Sequence, residues 1–226
     1  MQAIANQVTA GSIEIGIAVG AESMSNNPDN GAPAFPPEIL RHPAARDTTE
    51  PMAWTSENVA RDFKISREIQ DEYAAASQQK AEASQKAGRS AEEILPITVT
   101  WKNPRTNELQ KVVADKDDGV RYGTTVDTLS KIRAAFPQWP PATTTGGNAS
   151  QITDGAAALL LMRRHTAERL GQPILGKFVA STVVGLEPRV MGIGPTLAIP
   201  KLLRKVGIDW TEVDIFEINE AFASMV

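Results

Sequence analysis

An α/β architecture is predicted by three observations. Segments of strand length, apolar or alternating, recur at residues 13–20, 97–101, 156–162, 176–184 and 213–218. Segments with helical spacing or capping residues separate them, and that alternation is the pattern of a layered α/β core. The longest uninterrupted apolar run, 156–162, falls far short of the roughly 20 residues a membrane helix needs.

In chain order, Ile4 and Val8 stand four residues apart and predict an opening helix. The run 13–20 alternates and then turns apolar, as a buried strand does. Residues 26–51 are rich in Pro, Asn and Gly and predict an extended loop. A short helix is expected over 55–63. Ser66 is a plausible N-cap for a longer helix whose Ile69, Tyr73 and Ala76 share a face and which Gly88 ends. Residues 90–93, Ser-Ala-Glu-Glu, read as a capping box that opens a further short turn. A strand at 97–101 and a helix at 128–136 follow, the latter broken by the prolines at 137–141. The remainder reads as strand 156–162, helix 164–170, strand 176–184, helix 195–206 with Pro195 just inside its start, and strand 213–218.

Bulk properties exclude several functions. A net charge of −4 leaves no basic footprint for nucleic acid. The absence of cysteine excludes disulfides and thiolate metal sites within the chain. His42 and His165 are far apart and lack carboxylates at ligand spacing, so no metal site is expected. The opening helix has no residue to cap it, and the closing Ala221–Val226 segment reads as the first turn of a helix without a glycine stop. These ends read as interior to a domain, so a piece of a longer protein is expected.

Chemistry concentrates near the end of the chain. Asn219, Glu220, Ala221, Phe222 and Ala223 follow an apolar strand-like stretch, where an amide and a carboxylate are well placed to face a site. Four further segments stand out: Glu22-Ser23-Met24-Ser25; Thr55-Ser56-Glu57-Asn58-Val59-Ala60; Gly147-Asn148-Ala149-Ser150 with Asp154-Gly155; and Val190-Met191-Gly192-Ile193-Gly194-Pro195. Together and in this order they resemble the thiolase family, and the wording before Asn219 looks most like its peroxisomal 3-ketoacyl-CoA members. The resemblance covers essentially the whole chain.

That resemblance implies an incomplete thiolase-like layered fold (α-β-α-β-α) with a helical loop-domain insertion. Residues 1–25 would be part of the N-terminal domain, 26–145 the loop domain, 146–175 the return, and 176–226 the start of the C-terminal domain. Asn219 would hold a water in an oxyanion hole, with Glu220 in the same network. Met191 and Met52 would line the acyl pocket. Ser150 would bond the pantetheine arm, and Arg121, Phe136 and Arg133 would surround the nucleotide end of coenzyme A (CoA). By residue type alone each has a plainer reading: a helix cap for Asn219, core filler for the methionines, solvated charge for the arginines, a turn for Ser150.

The implied reaction is thiolytic cleavage of 3-ketoacyl-CoA to acetyl-CoA and a shortened acyl-CoA in fatty acid β-oxidation. CoA would be a substrate, with no permanently bound cofactor. The family's nucleophilic cysteine would precede residue 1, and its His and second Cys would follow residue 226, so the chain alone is expected to be inactive. A homodimer in the full-length parent is implied, and a peroxisomal location, with mitochondrial or cytoplasmic alternatives. Two other functions stay open at this point: a non-catalytic acyl-CoA-binding or oligomerisation module on the same scaffold, and a condensing enzyme of the ketosynthase type.

Overall fold

The computed structural model describes residues 1–26 and 35–226. Its helices and strands, in chain order, are α1 Gln2–Ala10, β1 Ile15–Glu22, α2 Pro37–Leu40, α3 Pro43–Asp47, α4 Met52–Asp62, α5 Arg67–Lys86, β2 Ile97–Lys102, β3 Leu109–Ala114, α6 Val126–Ser130, β4 Gly155–Met162, α7 Arg164–Arg169 and α8 Gly194–Val206. They form two compact units, one of Met1–Pro51 with Ile152–Asn219, the other of Met52–Gln151 with Glu220–Val226.

In the first unit β1 and β4 pair antiparallel, with Ile15 opposite Met162 and Glu22 opposite Gly155. Helix α1 lies against one face of this pair. Gly16 is needed there, because a Cβ on it would come within 2.5 Å of Ile4. The other face presents Ile17, Val19 and Leu160, each more than half exposed. Helix α1 ends where Gly11 turns left-handed at φ 79°, and Arg163 donates from Nε to the Val8 carbonyl at 3.0 Å. A cation over the last carbonyls satisfies orphan acceptors and opposes the helix dipole. At the far end of the pair, the Ser25 amide donates to Asp154 at 2.8 Å, and these Ser23–Ser25 donors hold the Asp154 carboxyl below its ordinary range. Two segments singled out in the sequence therefore meet.

The second unit is built on α5. Ser66 caps it as expected, its hydroxyl accepting from the Ile69 amide, and Gly88 turns left-handed just past its end. The buried face is not the expected one. Gln70, Asp71, Ala74 and Ala75 are buried, whereas Ile69 is 55% exposed. The small alanines let Leu129 of α6 pack closely; Asp71 is buried with its carboxylate paired, whereas Gln70 donates to the Ile65 carbonyl and leaves its own side-chain oxygen without a partner among the described residues. Asp71 accepts from Arg67 Nε at 2.7 Å and from Asn148 Nδ2 at 3.1 Å. Arg67 also donates to the carbonyls of Leu129 and Ile132. Those bonds take up carbonyls at the end of α6, which stops at Ser130 rather than running to 136.

Other expectations need correction. The predicted loop 26–51 carries α2 and α3 where it is described, and 27–34 lie outside the described residues. The short turn marked by residues 90–93 is present as a 3-10 turn, Arg89–Glu92, but it starts from Gly88 with no side-chain cap from Ser90. Strand β3, not anticipated, pairs antiparallel with β2. Residues 176–184 and 213–218 form no strand among the described residues, because no ladder partner lies beside them and an unpaired strand leaves its backbone unsatisfied. Lysines of α8 bond the first of these segments instead, Lys201 to the Val183 carbonyl and Lys205 to that of Ser181.

Two outcomes check this description. Asp71→Ala removes a buried carboxylate that bonds the partly exposed Arg67 and the Asn148 amide, and should destabilise the second unit by about 1.5–3 kcal/mol, read as the loss of protection of the α5 amides in hydrogen exchange with denaturant. The bare face of β1 and β4 should bind a hydrophobic dye at neutral pH without denaturant; a chain that leaves the dye dark would contradict the exposure of Ile17, Val19 and Leu160.

Candidate active site

The closing segment, Glu220–Val226, folds onto the second unit through its backbone. Ser150 N donates to the Ala221 carbonyl at 2.9 Å, and Ala223 N donates to that of Asn148 at 2.9 Å. Ala149 and Phe222 form an antiparallel bridge between them. Phe222 is extended, at φ −146°, so the helix expected directly after Asn219 is absent and only a 3-10 turn, Ala223–Met225, follows.

The surface that receives this segment is a buried polar cluster. Ser224 Oγ lies 2.8 Å from Ser56 Oγ, which lies 3.1 Å from Thr144 Oγ1. Beside it the Glu57 carboxylate accepts from the Thr143 amide and hydroxyl, both at 3.0 Å to Oε2, and from the Thr144 amide at 2.8 Å. A buried carboxylate needs such donors. Asn148 ties the turn to α5 through Asp71 and accepts from the Thr145 amide at 2.7 Å. The turn before Ser150 is thus fixed by side chains of α4 and α5.

Glu220 is held by α5. Tyr73 donates its hydroxyl to one carboxylate oxygen at 2.6 Å, and Ser77 donates to the other. Burial first, and the hydrogen bond to Glu220 second, push the Tyr73 phenol up from 10.0 to about 12. Sequence reasoning placed Tyr73 on the core face and missed its role as anchor. The signal available was the four-residue spacing of Tyr73 and Ser77, two hydroxyls on one side of a helix.

The remaining expected residues distribute as follows. Met52 opens α4 and Met191 lies in the 3-10 segment Pro188–Ile193; they are 45% and 44% exposed, so neither is core filler here. Arg121 and Arg133 are exposed, and the Arg121 guanidinium donates to the Asp118 carbonyl at 3.3 Å. Phe136 stacks on Trp139 with centroids 5.4 Å apart. Ser150 is exposed beside the bridge, and Asn219 is exposed at the last position of the first unit. The second unit thus carries Met52, Arg121, Arg133, Phe136, Ser150 and Glu220, whereas Met191 and Asn219 belong to the first. Within the second unit, the Glu220 segment and the Ser150 turn are brought into direct contact.

The family models for the thiolase N-terminal domain and the thiolase C-terminal domain match residues 1–165 and 172–226. The chain is 50% identical over 222 residues to the peroxisomal 3-ketoacyl-CoA thiolase of Yarrowia lipolytica, covering 98% of this chain and 53% of that protein. It is 48% identical over 225 residues to the peroxisomal 3-ketoacyl-CoA thiolase of Homo sapiens, covering 98% and 51%. The crystal structure of the dimeric peroxisomal thiolase of Saccharomyces cerevisiae superposes with a TM-score of 0.89 at 44% identity, covering 99% of this chain and 55% of that one. The acetyl-CoA acetyltransferase of Syntrophomonas wolfei does so at 0.81 and 30%, covering 97% and 56%. The chain spans about half the length of the relatives it matches, and these likenesses establish the α/β fold class.

The Tyr73 contact predicts a titration. One of the chain's two tyrosines should ionise near pH 12 in the folded chain, followed by phenolate absorbance, and Glu220→Gln should lower that value by removing the charged acceptor. The folded value lies above the ordinary 10.0. The stability this contact contributes is therefore complete below pH 10 and lost as pH rises through 12. An unshifted pair of tyrosines would contradict the geometry.

Proposed function

The chain belongs to the thiolase family, and we propose that it forms the CoA-binding part and one side of the oxyanion hole of an acetyl-CoA C-acyltransferase. The proposed reaction is thiolytic cleavage of 3-ketoacyl-CoA into acetyl-CoA and a shortened acyl-CoA in β-oxidation. The observation that carries the reading is the backbone pairing of residues 148–150 with residues 221–223, which seats the acid-bearing segment beside the turn that carries Ser150.

In this reading the acyl group passes to a cysteine thiolate with release of acetyl-CoA, and incoming CoA then takes it. The chain contains no cysteine and so supplies neither nucleophile nor thiol acid. It supplies placement. Asn219 holds a water facing the oxygen where negative charge develops, an arrangement in which one donor is worth about 10²–10³ in rate. Glu220, fixed by Tyr73 and Ser77, keeps the segment after Asn219 in place. Ser150 meets the pantetheine arm; Arg121 and Arg133 face the phosphates and Phe136 the nucleotide. Met52 and Met191 border the acyl group, where flexible thioethers tolerate chains of different length. The domain reading puts the loop domain at 26–145, overlapping the compact unit Met52–Gln151. A homodimer is proposed from the likeness to the dimeric yeast enzyme, and a peroxisomal location from the names of the relatives.

The test uses the chain itself. Calorimetry should show CoA binding, and an assay of 3-ketoacyl-CoA thiolysis should show no turnover. Failure to bind CoA would overturn the reading, and turnover would overturn the need for an external thiol. Joined to the thiol-bearing segments of a thiolase, the Asn219→Ala chain should lose about 10²–10³ in kcat, with CoA affinity unchanged.

A further inference from the structure

One face of α5 is spent on a single neighbouring segment. Gln78 Oε1 accepts from the Arg121 amide at 2.9 Å, and Glu82 Oε2 accepts from the Gly123 amide at 2.8 Å. Gln79 Nε2 donates to the Thr124 carbonyl at 3.1 Å, and Gln85 Nε2 donates to that of Asp117 at 2.7 Å. Tyr122 donates to Gln85 Oε1 at 2.7 Å, under the Lys86 ammonium, which stands 5.2 Å from the ring centroid.

Positions 78, 82 and 85 lie on one helical stripe, with 79 and 86 beside it. Long polar side chains on an exposed helix ordinarily remain mobile, because ordering each costs rotamer entropy. Here four of them end on the backbone of residues 117–124. Gly123, at φ 74°, supplies the left-handed turn that lets both Arg121 and Gly123 amides face the helix. Lys86 bonds the same Glu82 carboxylate, and the Lys86 and Gly123 contacts hold the Glu82 carboxyl below its ordinary range, so the acceptor stays charged at neutral pH.

We propose that Gln78 and Glu82 are positioning residues for Arg121: the strap 117–124 is fastened to α5 so that the Arg121 guanidinium is presented in advance to the phosphorylated nucleotide end of CoA. This rests on the assignment of Arg121 to that end of the ligand. Fixing the backbone on both sides of Arg121 removes part of the ordering cost otherwise met on binding. The gain falls on the nucleotide end alone, so the strap sets the preference for CoA over pantetheine.

The experiment compares CoA with pantetheine, which lacks the nucleotide, in calorimetric competition with the 226-residue chain and its Gln78→Ala, Glu82→Gln, Arg121→Ala and Glu82→Gln/Arg121→Ala variants. Glu82→Gln keeps the shape of the side chain and removes its charge. The expected result is a loss of CoA affinity of about three- to tenfold in Gln78→Ala and Glu82→Gln, with pantetheine affinity unchanged and the melting temperature lowered by no more than about 2–4 °C. Hydrogen exchange at residues 121–123 should be faster in the ligand-free variants. Glu82→Gln should add nothing on top of Arg121→Ala, since both act through the same guanidinium. Equal losses for CoA and pantetheine, or none in Glu82→Gln while Arg121→Ala weakens CoA, would overturn the positioning role and leave the Arg121 assignment standing. An Arg121→Ala chain that binds CoA normally would overturn the assignment itself and the strap with it.

Discussion

The second unit depends on one buried carboxylate. Asp71 is fully buried and joins two segments that are remote in sequence. Through Arg67 it organises the end of α6, where the guanidinium also takes the Leu129 and Ile132 carbonyls. Through Asn148 it fixes the turn that leads to Ser150. A charge removed from water is tolerated only when its oxygens are bonded, so these partners are constrained together. The closing segment then pairs with the turn so held, and Glu220 reaches Tyr73 and Ser77 on the same helix. The candidate site is in this sense an extension of the α5 packing.

The two units differ in how they handle apolar surface. The second packs small residues and hydrogen-bonded polar side chains such as Glu57, Asp71 and Asn148, with Leu129 against Ala74 and Ala75 as its apolar centre. The first carries the most apolar strand of the chain, β4, paired with β1, and covers one face of the pair with α1. Ile17, Val19 and Leu160 remain open on the other. Uncovered aliphatic surface of this kind is unfavourable in water. In the proposed enzyme the chain supplies ligand placement, and the thiol chemistry comes from cysteines it does not contain.

Anchoring by side chain to backbone recurs at the turn before Ser150 and at the strap that carries Arg121. Glu57 holds residues 143 and 144, Thr145 and Asn148 hold each other's turn, and Gln78 and Glu82 hold the amides at 121 and 123. Each bond is modest in water, about 0.5–1.5 kcal/mol. Their common effect is to leave loops with few accessible conformations, which is what a site for a long, flexible ligand needs if binding is not to be consumed by ordering the protein.

What the sequence by itself determined was mostly local or conveyed by motif. The Ser66 cap, the left-handed Gly88, Pro195 in the first turn of α8 and the run of β4 follow from short-range chemistry, and the ordered motifs were sufficient to recognise the family. Tertiary structure decided what depends on distant partners. Ile69 and Tyr73 share an apolar spacing, yet the buried face is Gln70, Asp71, Ala74 and Ala75, because Asn148 and Leu129 meet the helix there. Residues 176–184 and 213–218 have strand composition and no ladder beside them, so pattern without pairing made no strand. The helix expected after Asn219 gave way to a bridge with Ala149, since the backbone found its partner in another segment. Periodicity reports what a segment prefers; hydrogen-bond partners far along the chain decide which preference is realised.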